Sequence, residues 1–198
     1  MDPMVEMFLS AQRAFGARVR AVGADQLGLP TPNTEWDVSA LLGHLLDENW
    51  WLPPLAHGHD LDAAGKIVES AEHAAGDDRV KAWETASVKS ADAVQEEGVL
   101  ERTASLSRGP TPMRDYLGEM IFDHIVHAWD LGKAIGYSGD EPLPEDVVEV
   151  LYPMATGMAD MLAGSGMFAA PVEVPDDAST LDKLLGLTGR DPNWTPKS

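Results

Sequence analysis

The stretch MIFDHIVHAWDLGKAIG, residues 120–136, constrains the fold more than any other part of the chain. Turned at about 100° per residue, the helix that carries it is apolar almost all round. Met113, Leu117, Met120, Ile121, Phe122, Ile125, Val126, Ala128, Trp129 and Leu131 cover most of its circumference. One narrow polar stripe interrupts them: Tyr116, Glu119, Asp123, His127 and Asp130. A helix that is apolar on every side is expected inside a bundle. Ionisable groups buried without partners are costly, so the stripe must face solvent or line an internal site. Asp123 and His127 stand at i and i+4, one above the other. That spacing lets a carboxylate and an imidazole bind one ion together. His124 falls on the flank, off the stripe.

The rest of the chain also reads mainly as helix. Asp2 caps a first helix that has Pro3 just inside its start, with Leu9, Phe15, Val19 and Val22 on its apolar face. GADQLGLPTPNTEW is a loop punctuated by Gly and Pro. A second helix starts near Trp36 or Asp37, with Thr34 or Asp37 as cap, and runs to Pro53-Pro54. Residues 58–77 are polar and Gly-spaced, a long connection holding at most a short helix. A third long helix starts at Asp77 or Asp78, and TASLS allows a short strand. Thr111 or Pro112 opens the fourth helix, which ends at about Tyr137. PEDVVEVLYPMATGMADMLAG is a fifth, with Pro144 at its first position, and TLDKLLGL forms a short last helix. There is no internal repeat and no alternation of strand with helix. The expectation is an all-α, up-and-down four-helix bundle. It forms one domain over residues 1–198, with 164–198 as a mostly irregular tail packed on it.

Composition narrows the function. The 14 Lys and Arg face 33 Asp and Glu, a net charge of −19. Nucleic acid is held mainly by Lys and Arg against phosphates, so it is excluded as a partner, and anionic membrane surfaces with it. No apolar run reaches the roughly 18 residues of a membrane span. The N-terminus carries Asp2 and Glu6 where a signal peptide has a basic region. A cytoplasmic protein is expected. There is no Cys, so a metal site must draw on His, Asp, Glu or carbonyls, and any thiol must come from elsewhere. The Gly-rich phosphate-binding patterns are absent.

His44, on the second helix, supplies a candidate third ligand beside Asp123 and His127. Two imidazoles and one carboxylate leave coordination positions open, as catalytic sites require. The set suits zinc, nickel, iron or manganese. Each piece also has a plainer reading. A single His on a half-apolar helix is commonly a packed core residue, and an Asp–His pair at i, i+4 is commonly a surface pair. Trp50, Trp51 and Trp129 fit core or pocket wall. His57, His59 and His73 lie in or beside the polar connection and read as loop, and Met154, Met158 and Met161 as core filler.

TPNTEWDVSALLGHLLDENWW resembles the second-helix signature of the DinB-like family. More closely, it resembles the N-terminal metal-binding domain of mycothiol-dependent maleylpyruvate isomerases. MRDYLGEMIFDHIVHAWDLGKAIG is similar to the fourth-helix signature of the same group, where an acidic residue precedes a His by four positions just ahead of WDL. VPDDASTLDKLLGLTGRDPNW resembles the tail of a single-domain, actinobacterial-type subset. The resemblance implies a helical bundle with a divalent metal, zinc first, held by His44, Asp123 and His127. It also implies a low-molecular-weight thiol, such as mycothiol or bacillithiol, activated on that metal. Two departures stand out: Asp123 replaces the usual Glu, and the chain is short for the isomerases' second domain. The expected activity is metal-dependent thiol transfer or isomerisation of a small electrophile. A non-catalytic metal- or small-molecule-binding module and a metal-activated hydrolase are the alternatives. Trp36, Trp51, Tyr116 and Trp129 are candidate pocket residues, and Glu48 and Glu119 candidate proton carriers. The expected partner is a small-molecule substrate, with a homodimer as an admissible assembly.

Overall fold

The structure, a computed structural model, describes residues 1–76, 78–159 and 169–196. Among these, the long elements are helices: α1 (Pro3–Ala21), α2 (Val38–Ala56), α3 (Leu61–Ala75), α4 (Arg79–Val94), α5 (Met113–Ile135) and α6 (Glu145–Gly157). A shorter α7 (Thr180–Leu187) follows near the C-terminal end. The caps explain where several of them begin. The side chains of Asp2, Asp37, Asp60, Asp78 and Ser179 each accept a backbone N–H from the first turn of α1, α2, α3, α4 and α7 respectively. Pro144 sits at the N-cap of α6, one position earlier than expected. α5 ends at Gly136, whose φ of +64° is the left-handed conformation favoured by Gly.

Four helices make the bundle. α5 lies between α1 and α2, and α4 closes the other side between the same two. Phe8, Leu52, Leu117, Ile121 and Ile125 fill one end of the interior, and Phe15, Leu41, Leu45 and Leu131 the other. Between the two apolar layers runs a buried polar network. Asn49 donates to Leu45 O and to His124 Nε2, and it accepts from Gln12 and Ser90. His124 in turn donates its Nδ1–H to Met120 O. Every polar atom of Asn49 and both ring nitrogens of His124 are thus paired, which a fully buried network needs.

Two sequence expectations change. Residues 61–75 form a full helix, α3, packed on α2 and α4. Its buried side is Ala64 and Val68, with Ala71 and Ala75 beside them. Gly65 faces the Trp51 ring, which a Cβ there would touch only at ordinary contact distance. Pro53 and Pro54 do not end α2, which continues to Ala56. They lack N–H groups but still accept, from His57 and His59, so the last turn closes over them. TASLS does form a strand: β1 (Thr103–Leu106) pairs antiparallel with β2 (Gly109–Pro112) in a hairpin leading straight into α5.

The segment after residue 168 returns to the bundle. α7 packs on α6 and buries Leu184 and Leu185 completely. Met154 and Met158 are exposed rather than core, because they lie on the outer side of the end of α6. Met161 lies outside the described residues. Among the described residues, no helix is long and apolar enough to cross a membrane.

Candidate metal centre

The polar stripe of α5 is paired along its whole length. Tyr116 donates to Glu48 Oε2 of α2 at 3.5 Å. Glu119 takes both its hydrogen bonds from Arg108, at the tip of the β1–β2 hairpin. Asp123 meets His44 Nε2 of α2 at 2.7 Å and His127 Nε2 at 3.4 Å. His127 Nδ1–H donates to Asp130 Oδ2 at 2.9 Å. Asp130 is held by Arg190, from the segment after α7, at 3.0 Å. Apart from the exposed Glu119, the stripe lines a site between α5 and α2, and its partners come from α2, the hairpin and the C-terminal segment.

His44, Asp123 and His127 converge. One ligand atom from each lies within 4.8 Å of the others. His127 is buried, while the side chains of His44 and Asp123 are 28% and 30% exposed, so a small molecule can reach the cluster from solvent. The donor set fits a divalent ion. Two imidazoles and one carboxylate are common ligands, and His127 already gives its other nitrogen to a carboxylate, the usual arrangement behind a metal-bound His.

The charges agree with one another. Burial alone would raise the Asp123 carboxyl, yet the adjoining His127 and His44 imidazoles hold it well below the usual carboxylate range. Burial opposes charge on His127, but Asp123 and Asp130 beside it push its pKa up to about 9. The metal-free cluster thus holds a proton on His127 at neutral pH. His124 behaves oppositely: burial among Phe8, Phe15 and Trp83 pushes it down to about 4. It faces the bundle interior, away from the triad, as its position off the stripe suggests.

The remaining candidates are spread out. Trp36 roofs the cluster, its ring centroid 4.8 Å from that of His44 and 5.4 Å from that of His127. Its loop is fixed by Thr31, whose hydroxyl donates to Trp36 O. Glu48 lies one turn beyond His44, and burial, then the Asp123 carboxylate, raises its pKa. Tyr116 is buried against it, and burial raises its phenol well above the ordinary value. Trp51 donates to Asp47 and packs toward α3, at the margin. Glu119 is exposed and already committed to Arg108. Trp129 is not brought to the cluster. Two residues past His127, it is turned to the far side of α5 and lies under Lys133. Sequence reading placed Asp130 in the stripe without a role, and it gave Arg190 none. The i+3 spacing from His127 could have pointed to Asp130.

The four-helix bundle, with its open His–Asp–His cluster between two of the helices, is an all-α fold of the DinB-like kind. The chain belongs to the family of the mycothiol maleylpyruvate isomerase N-terminal domain, which matches residues 8–132. It is 31% identical over 191 residues to uncharacterized proteins from two Mycobacterium tuberculosis strains, CDC 1551 and H37Rv, covering 96% of this chain and 98% of theirs. The fold is shared with the crystal structure of the mycothiol-dependent maleylpyruvate isomerase. The TM-score is 0.60 at 16% identity, over 82% of this chain and 72% of that one. A mutant of the same enzyme with a histidine replaced by alanine matches equally in fold, at 15% identity.

Proposed function

We propose that His44, Asp123 and His127 hold a divalent metal, zinc first among the candidates, and that the protein transfers a small thiol of the mycothiol type to a small electrophile or isomerises it through that thiol. The observation that carries the reading is the convergence of the three donors within 4.8 Å on an accessible face. The family membership supports it, as does the lack of any Cys in the chain. An ion bound there would deprotonate a coordinating thiol near neutral pH, and the thiolate is the nucleophile.

The chain's own residues do the rest. Asp130 takes the Nδ1–H of His127, which leaves Nε2 as the nitrogen turned to the ligand side. The Trp36 ring over both histidines excludes water from that side. Glu48, whose carboxyl keeps its proton more readily than a surface glutamate, is placed to give that proton to the substrate as the carbon–sulfur bond forms; in isomerisation it takes the proton back as that bond breaks, and in transfer it is reprotonated by the proton the thiol released. Tyr116 holds that carboxyl in place.

The test is conjugation of mycothiol, bacillithiol or glutathione to a generic electrophile by the zinc-loaded protein. Conjugation with at least one thiol above a chelator-treated control supports the reading. If all three stay at the control rate, thiol transfer is refuted.

A further inference from the structure

The C-terminal segment reaches the triad through a single arginine. Gly189 turns the chain at a φ of +76°, where a side chain would also collide with Ala169. Arg190 then enters the interior, 6% exposed. Its Nη1 donates to Thr188 O at 2.8 Å and its Nη2 to Asp130 Oδ2 at 3.0 Å, with Nε 3.4 Å from Asp130 Oδ1. Asp130 is fully buried, and the same Oδ2 accepts His127 Nδ1–H at 2.9 Å. One turn of α5 further on, Lys133 Nζ donates to Pro192 O at 2.9 Å and pins the same segment.

We propose that Arg190 is a positioning residue for the metal centre. It acts through Asp130 to fix the tautomer and direction of His127, so that docking of residues 188–192 completes a site whose three ligands lie on α2 and α5. This rests on the metal-binding reading of the triad and deepens it. A carboxylate with no exposure needs a paired counter-charge. Arg190 is a cation that meets both oxygens of Asp130, and its planar fork suits that geometry where a Lys would give a point charge. Asp130 can hold the His127 ring only while it is itself held. The partner that orients a metal-bound His commonly governs metal affinity nearly as strongly as a ligand does. Here that partner is anchored by a residue 60 positions away in the chain.

The experiment compares Arg190→Gln, Asp130→Asn, the double variant and Arg190→Lys. Zinc affinity is read by competition with a chromophoric chelator. In parallel, nitrogen-15 NMR of the metal-free proteins reports the His127 Nδ1 proton. Each of the first two variants should weaken zinc binding about 10- to 100-fold. The double variant should lose no more than the worse single one, because both act through one contact. Arg190→Lys should recover part of the loss. Above pH 9, where His127 is neutral, its proton should sit on Nδ1 in the wild type, and Arg190→Gln should shift population to the Nε2 tautomer. Zinc affinity of Arg190→Gln within twofold of wild type, or losses that multiply in the double variant, would overturn the proposal. So would an unchanged Nδ1 signal in Arg190→Gln. A wild type that takes up no zinc refutes the metal site itself, and the metal-free NMR still decides whether Arg190 holds His127. Should Arg190→Gln not fold, the double variant, which leaves no lone charge, and Arg190→Lys carry the comparison: a Nδ1 signal retained in the double variant counts against the proposal.

Discussion

His124 offers a test of the bundle's interior that is separate from the metal. It is fully buried, its Nδ1–H is given to Met120 O and its Nε2 accepts from Asn49. A second proton on Nε2 would face the Asn49 amide hydrogens with no acceptor, and burial lowers the pKa to about 4 from an ordinary 6.5. Between those values the unfolded chain binds the proton and the folded one does not, so stability rises with pH. The effect is fully developed below about pH 4 and absent above pH 6.5. At about 1.4 kcal/mol per pH unit it amounts to about 3 kcal/mol. The assay is urea unfolding from pH 7 to pH 4 with chelator present, on the wild type and on His124→Gln, which cannot charge. The wild type should lose about 3 kcal/mol more than the variant over that range. Parallel pH profiles for the two proteins would refute the claim that His124 is held neutral inside the fold.

Other predictions concern the site and the tail. His44→Ala, Asp123→Ala and His127→Ala should each sharply lower the zinc content found by mass spectrometry of the metal, whereas His124→Ala should change it little. Metal-free protein should lose stability as the pH rises from 6.5 through about 9. His127 carries a raised pKa, so its contribution is full below 6.5 and gone above 9; urea unfolding should show the loss in wild type and not in His127→Ala. Leu184→Ala, in the fully buried contact of α7 with the core, should cost about 3 kcal/mol and lower the melting temperature.

Much of this was legible in the sequence because it is local. The apolar circumference of α5 and the Asp caps at residues 2, 37 and 78 are patterns within one or two turns. The pairing of α2 with α5 follows from a polar stripe that had to find partners, and His44 meets Asp123 as that logic requires. What escaped was either weak or distant. α3 is amphipathic, but its small buried side of Ala64 and Val68 is set among polar residues and Gly65, so the segment reads as a connection. The Gln12–Asn49–Ser90–His124 network joins four helices through residues that look like ordinary surface polar groups. Arg190 sits in a tail that reads as irregular, and nothing near it in sequence indicates Asp130. Trp129 stands two residues past His127, on another side of α5 from the stripe, where Lys133 lies over its ring.

The most direct measurement is a cobalt titration of the metal-free protein followed by addition of mycothiol. One ion should bind per chain, the visible bands should saturate, and mycothiol should add a near-ultraviolet sulfur-to-cobalt charge-transfer band. His44→Ala and His127→Ala should abolish both signals. Saturating cobalt bands that persist in those variants, or a bound cobalt whose spectrum mycothiol leaves unchanged, would contradict the account.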